Sequence, residues 1–147
     1  MRSSTKDFLN QIPLSNPSVK LTDLRSTVLG IFIESNTPLS AYEVLDQLKK
    51  LRDSAEPPTV YRVIQYFIDK NIIHRIDSEQ KYTLCSHIAC GHTHHATSML
   101  VCGVCHQTTE TNNEPFAKAL LKIAKQQNFQ LVDGPVELKG VCENCRI

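Results

Sequence analysis

The sequence predicts an α+β chain in two parts: an N-terminal winged helix-turn-helix domain, then a small α/β dimerisation domain with a four-cysteine zinc site. Three observations predict it. Helical periodicities run through the N-terminal half and end in a short hairpin pattern. After Cys85 the composition shifts abruptly to His, Cys and Thr. Two Cys-x2-Cys pairs, Cys102/Cys105 and Cys142/Cys145, then bracket a further stretch with its own strand and helix patterns. The expected boundaries are 1–85 for the first domain, 86–93 for a hinge and 94–147 for the second domain.

Ser4 to Ile12 reads as a short helix, with Ser4 and Asp7 loosely matching a capping box and Pro13 as the stop. The following LSNPSVK reads as a loop. Thr22 opens a stronger helix whose broad apolar face carries Leu24, Val28, Leu29, Ile31, Phe32 and Ile33. Asn36-Thr37-Pro38 ends it. Ser40 caps the next helix, with Glu43 completing the box and Ala41, Val44, Leu45, Leu48 and Leu51 at helical spacing. Lys49, Lys50 and Arg52 near its end suit the helix dipole, and a solvated helix end accounts for them.

A third helix is expected from Thr59, buried through Val60, Val63, Ile64, Phe67 and Ile68. Thr59, Tyr61, Arg62, Gln65, Tyr66 and Asp69 lie elsewhere on its surface. Two tyrosines beside an arginine are unusual for a helix that only faces water. Arg pairs bidentately with guanine, and Tyr reaches a phosphate or a base edge. The simpler reading is that Tyr61 and Tyr66 cover neighbouring core, and pattern alone leaves the two about balanced. Ile72–Ile76 and Lys81–Cys85 form strands around the turn Asp77–Gln80. Helices followed by this hairpin predict a winged helix-turn-helix, with the third helix in the major groove of DNA and the hairpin along the backbone. That context favours the DNA reading of Tyr61 and Arg62. The candidate DNA contacts are Arg25, Thr59, Tyr61 and Arg62.

In the second part, Ser98–Val101 is a strand into the first cysteine pair and Gln107–Thr111 the strand out. Asn113 caps a helix with Pro115 in its first turn, where Pro is tolerated. Phe116, Ala119, Leu120, Ile123 and Ala124 line one face, and Asn128 closes it. Phe129–Val132 and Val136–Val141 read as two strands around Asp133-Gly134-Pro135. A two-residue gap lets a tight turn aim two thiolates at one ion, and two such pairs suit tetrahedral zinc. Redox or disulfide chemistry, and iron, are the alternatives. So small a unit needs the zinc and a dimer partner to make up for its limited core.

Composition sets outer bounds. The chain has 147 residues, 41% of them apolar, with no Trp. Lys and Arg number 16 against 15 Asp and Glu, a net charge of +1, so overall charge does not announce a nucleic-acid binder. No apolar run approaches a membrane span, and MRSSTKDFLNQIP lacks the apolar core of a signal peptide. Six Cys clustered with His in such a chain argue for a reducing, cytoplasmic setting and for metal over disulfides. No nucleophile elbow or P-loop pattern appears, so no enzyme, small-molecule substrate or membrane partner is expected.

LTDLRSTVLGIF, SAYEVL, PPTVYRVIQYF, IIHRIDS, the His-rich stretch and both Cys pairs together resemble the ferric uptake regulator family. PPTVYR and the Cys of YTLC are most similar to its zinc-sensing branch, the zinc uptake regulators. The resemblance covers roughly Leu21 to Cys145, and its motifs are separated and in order. Asp23 departs from it, since the family often has Pro after Leu-Thr.

The resemblance implies a homodimer that senses a divalent metal and binds palindromic, double-stranded operator DNA. It implies two zinc ions per chain, one structural at Cys102, Cys105, Cys142 and Cys145 and one regulatory. The regulatory ligands carry over to His74, Cys85, His95 and Glu110. A thiolate among imidazoles and a carboxylate favours zinc over ferrous iron or manganese. His87, His92 or His94 could replace His95, and Cys90 could compete with Cys85. Helix 114–127 has no His, so a complete third site is not expected. A zinc-responsive repressor of zinc uptake genes is the first expectation, and an iron- or peroxide-responsive regulator of the same family is the alternative.

Overall fold

In the computed structural model, which describes residues 3–15, 17–35, 37–52, 54–85, 97–132 and 134–146, the chain divides into two units, Met1–Ala89 and Cys90–Ile147. The first unit is built on four helices: α1 (Ser3–Ser15), α2 (Asp23–Glu34), α3 (Ala41–Leu51) and α4 (Pro57–Asp69). A hairpin of β1 (Ile73–Ile76) and β2 (Lys81–Leu84) follows.

Side-chain caps fix the starts of α2 and α3. Thr22 accepts from the Arg25 N–H at 3.3 Å, and Ser40 accepts from the Glu43 N–H at 3.1 Å. Helix α4 begins at Pro57, earlier than the expected Thr59. Two prolines fit its first turn because the N–H groups there have no helical partner. Helix α1 runs through Pro13 to Ser15, not stopping at Ile12 as expected. Leu9 and Ile12 are buried in the core, and that packing outweighs the hydrogen bond a proline removes. Thr5 also donates to the Glu34 carboxylate at 3.3 Å, tying α1 to the end of α2.

The core of this unit joins Val28 and Leu29 of α2, Val44 and Leu48 of α3, and Val60, Ile64 and Phe67 of α4 to Ile72 and Ile73. Leu51 does not join it and is 66% exposed at the end of α3. The hairpin is antiparallel, with His74 opposite Thr83. Leu39 and Tyr82 exchange both backbone hydrogen bonds, at 2.9 and 2.7 Å. Lys81 also pairs with Glu43 at 3.3 Å. The wing is thereby fastened to the start of α3.

The second unit has a three-stranded sheet in the order β4-β3-β5, with β3 (Thr97–Cys102), β4 (Thr108–Asn112) and β5 (Val136–Gly140). Strand β3 is antiparallel to β4 and parallel to β5. Helix α5 (Glu114–Gln126) is capped by Asn113, whose side chain accepts from the Phe116 N–H at 2.9 Å. Its buried residues are Ala117 and Ala124, whereas Ala119 and Ile123, expected inside, are exposed.

Phe129–Val132 was expected as a strand, but the described residues there are irregular. The helix end accounts for this. Asn128 adopts a left-handed conformation at φ 50°, and the Phe129 N–H bonds to the Ala124 carbonyl at 2.8 Å while Asn128 bonds to Lys125. This is a Schellman closure, with Asn in the place usually held by Gly. It uses the amide that a strand would have put into a ladder. No helix among the described residues is long and apolar enough to cross a membrane.

Candidate metal centre and nucleic-acid interface

The parallel pairing of β3 with β5 brings the two cysteine pairs together. Cys102 lies opposite Gly140 in the register, so both strands finish at the same end of the sheet. The β3–β4 turn folds back through the Cys102 N–H to the Gln107 carbonyl and the His106 N–H to the Cys102 carbonyl, both 3.0 Å. Gly103 donates to the Gly140 carbonyl at 2.9 Å, stitching this turn to the end of β5. A 3-10 turn, Glu143–Cys145, then carries the second pair back toward the first.

The four sulfurs of Cys102, Cys105, Cys142 and Cys145 all lie within 4.8 Å of one another. Cys105 and Cys142 are 3.8 Å apart at Sγ. A zinc ion with bonds of about 2.3 Å holds its sulfurs about 3.8 Å apart along each tetrahedral edge. The residues present fit zinc, and four of them fill its coordination and leave no open position for water.

The electrostatics lead the same way. The N–H groups of Cys142 and Val104 each point at the Cys102 sulfur from 3.4 Å. Backbone amides of Cys142, Cys105 and Val104 hold the Cys102 thiol down to about 6. Cys145 is pushed up to about 12, chiefly by the neighbouring Cys142 sulfur and by burial. At Cys105 the Gln107 amide pulls downward, but the Cys102 sulfur and burial outweigh it and the thiol is raised. The Cys102 thiolate forms readily while Cys105 and Cys145 resist, as expected of clustered sulfurs that need a shared cation to ionise together.

His74 and Cys85 form a second pair of donors on the wing hairpin. The Cys85 N–H bonds to the Ile72 carbonyl at 2.8 Å, extending the ladder past β2. Cys85 thus stands opposite Ile72, on the same face as His74 and diagonal to it. Both are buried, 4% and 2% exposed, and their ligand atoms lie within 4.8 Å of each other. Glu110 is half-buried on β4 of the other unit, opposite Met99 in the register. The expected ligand His95 lies outside the described residues, as do the hinge 86–93, His87, Cys90, His92 and His94.

Helix α4 presents Tyr61 and Arg62 to solvent, with Thr59 half-buried in its first turn. Tyr61 and Arg62 line a groove of about 630 Å³ together with Ser40, Tyr42, Gln65, Arg75 and Gln80. The groove is bounded by α4, the start of α3 and the wing, and it offers aromatic faces, amides and two guanidinium groups. The sequence reading missed Tyr42, Arg75 and Gln80 as members of this surface. Tyr42 carried a signal, as a large aromatic just past the Ser40 cap and off the apolar stripe of α3.

Arg25 does not line the groove. Its guanidinium carbon lies 3.7 Å from the centroid of the Tyr66 ring. Tyr66 is half-buried and packs edge-on against Phe67 with centroids 5.6 Å apart. The core-covering role therefore holds for Tyr66, whereas Tyr61 is 45% exposed.

A family model described as the ferric uptake regulator family matches residues 16–139. The zinc uptake regulation protein of Escherichia coli (strain K12) is 29% identical over 146 residues, 98% of this chain and 84% of that protein. The ferric uptake regulation protein of Staphylococcus epidermidis (strain ATCC 12228) is 29% identical over 135 residues, 90% of this chain and 91% of that protein. A solved zinc uptake regulator complexed with zinc and DNA superposes with a TM-score of 0.86 at 27% identity, covering 98% of this chain and 96% of that one. A crystal structure of holo XcZur superposes with a TM-score of 0.81 at 26% identity, covering 95% and 96%.

Proposed function

The chain belongs to the ferric uptake regulator family, and from that premise we propose that it is a zinc-responsive transcriptional repressor of zinc uptake genes. On this reading it acts in the cytoplasm as a homodimer on palindromic operator DNA. The winged fold and the groove lined by Tyr61 and Arg62 support DNA binding, as does the likeness to a zinc uptake regulator solved with zinc and DNA. Side by side on one sheet face, Leu100 and Leu138 are 44% and 40% exposed, and Phe129 is 65% exposed. These exposed apolar side chains support a dimer partner.

Two zinc ions per chain are proposed. The first is structural, held by Cys102, Cys105, Cys142 and Cys145. The second is regulatory, held by His74, Cys85, His95 and Glu110. Binding to residues of both domains would favour one relative orientation of the two, and so turn a local contact into a change of operator affinity.

The observation that carries zinc over iron is Cys85, buried beside His74. Identity does not separate the two metals, because the zinc and ferric relatives are each 29% identical to this chain. A thiolate donor supports zinc, since it is a better ligand for zinc than for ferrous iron or manganese. The test is operator binding by reduced protein with zinc, ferrous iron or manganese as the only added ion. The proposal expects zinc to act at the lowest free concentration. Activation by ferrous iron with no response to zinc would establish the iron-responsive alternative.

A further inference from the structure

Tyr66 stands on the recognition helix without lining the groove, and three interactions converge on it. Its hydroxyl accepts a hydrogen bond from the backbone N–H of Lys20 at 2.9 Å. Its ring carries the Arg25 guanidinium at 3.7 Å, and the Lys70 ammonium approaches the same ring at 5.7 Å. Arg25 in turn donates through Nη1 to the Lys20 carbonyl at 2.9 Å. The backbone of Lys20 is therefore held at both polar groups, its N–H by Tyr66 and its carbonyl by Arg25, and the stack locks the two holds together. Phe67, fully buried beside Tyr66, anchors this assembly to the core.

Lys20 is exposed and lies just ahead of Thr22, the cap of α2. Its side chain adds a cation where the N-terminus of α2 already favours negative charge. A lysine on a loose segment gives up part of a phosphate contact to the entropy of ordering that segment. Here the segment is ordered in advance, and by the same helix that carries Tyr61 and Arg62.

We infer that Tyr66 is a positioning residue for DNA binding: it holds Lys20 ready against a backbone phosphate, in fixed register with the base-reading face of α4. Arg25 acts through the same hold, as the partner that grips the Lys20 carbonyl. The inference rests on the DNA-binding reading above. Phosphate contacts set orientation while base contacts set sequence, so the effect of this hold falls on affinity and salt dependence and leaves sequence preference alone.

The test measures binding across a salt series with zinc-loaded full-length protein and a duplex that the wild type selects from a randomised pool. A random duplex is the control. Lys20→Gln should reduce the slope of log affinity against log salt by about 0.9 for each protomer bound. Tyr66→Phe keeps the ring and the Arg25 stack and removes only the acceptor for Lys20. It should shift the slope in the same direction without changing the ratio of selected to random binding. The double variant should lose no more slope than Lys20→Gln alone.

A purely structural role would lower thermal stability and leave the salt slope intact. A wild-type slope for Tyr66→Phe or for Lys20→Gln, or additive losses in the double variant, overturns the inference. If the wild type selects no duplex from the pool, it is the DNA-binding reading that fails.

Discussion

The Sγ atoms of Cys105 and Cys142 lie 3.8 Å apart although 37 residues separate them in the chain. That closeness is a product of topology. Strands β3 and β5 run parallel and end together, so the turn after one and the 3-10 turn after the other meet at one end of the sheet. A metal placed there clamps the two ends of the α/β unit.

Replacing Cys142 with Ser swaps a soft thiolate for a weakly ligating hydroxyl. It also breaks the clamp, because structural zinc binding is folding energy in small domains. The variant should lose one tightly held zinc per chain, along with dimerisation or the fold of the second unit. Metal analysis with sedimentation checks this. A folded dimer with one fewer zinc would contradict a structural role.

Proton release on zinc binding should depend on pH in a defined way. Cys102, held down to about 6, is already ionised above that pH and has no proton to lose. Below it, Cys102 is protonated and must release one. Cys145, pushed up to about 12, releases its proton throughout the neutral range. Calorimetry of Cys85→Ser, which keeps the four-cysteine site alone, in buffers of different ionisation enthalpy should therefore find about one more proton released near pH 5 than near pH 8. Equal release at the two pH values would contradict the lowered Cys102 thiol.

Arg62 is exposed on α4 and lines the groove beside Tyr61. If it reads a base, Arg62→Ala should weaken specific operator binding by about 1–3 kcal/mol while metal content and dimerisation are unchanged. An equal loss on random DNA, measured by fluorescence anisotropy, would make it a phosphate contact.

Ser40 caps α3 close to the bridge that fastens Leu39 to Tyr82 of the wing. Ser40→Ala leaves the Glu43 N–H without that acceptor and should cost about 1 kcal/mol of stability. Denaturant unfolding of the zinc-loaded protein measures it, and a change below a few tenths of a kcal/mol would contradict the capping role.

The parts of the fold legible in the sequence were those with local signatures. Thr22 and Ser40 announced α2 and α3 because a cap and an apolar stripe agree there, and Asn113 announced α5 in the same way. Pro13 misled because burial of Leu9 and Ile12 is a tertiary fact that local propensity does not contain. Phe129–Val132 misled because its apolar residues read as strand while the fate of the Phe129 amide depends on how α5 ends.

At the candidate sites, cysteine spacing alone implied the meeting of Cys102, Cys105, Cys142 and Cys145. The placing of Cys85 beside His74 needed the hairpin register, and family resemblance had singled out both. Arg25 and Tyr66 are far apart in sequence, so no periodicity reveals that one stacks on the other. Tyr42 and Arg75 joined the groove only once α3 and the wing were packed beside α4.

Zinc control of DNA binding is tested by operator affinity across a series of buffered free zinc concentrations, for the wild type and for Cys85→Ser. Cys85 lies outside both Cys-x2-Cys pairs, so the variant should fold, dimerise and keep one zinc per chain. Zinc should tighten wild-type binding by at least about 10-fold, roughly 1.4 kcal/mol of coupling, while the Cys85→Ser curve stays flat. A Cys85→Ser protein that responds to zinc as the wild type does would contradict this expectation, and a flat response from Cys90→Ser in its place would identify Cys90 as the ligand.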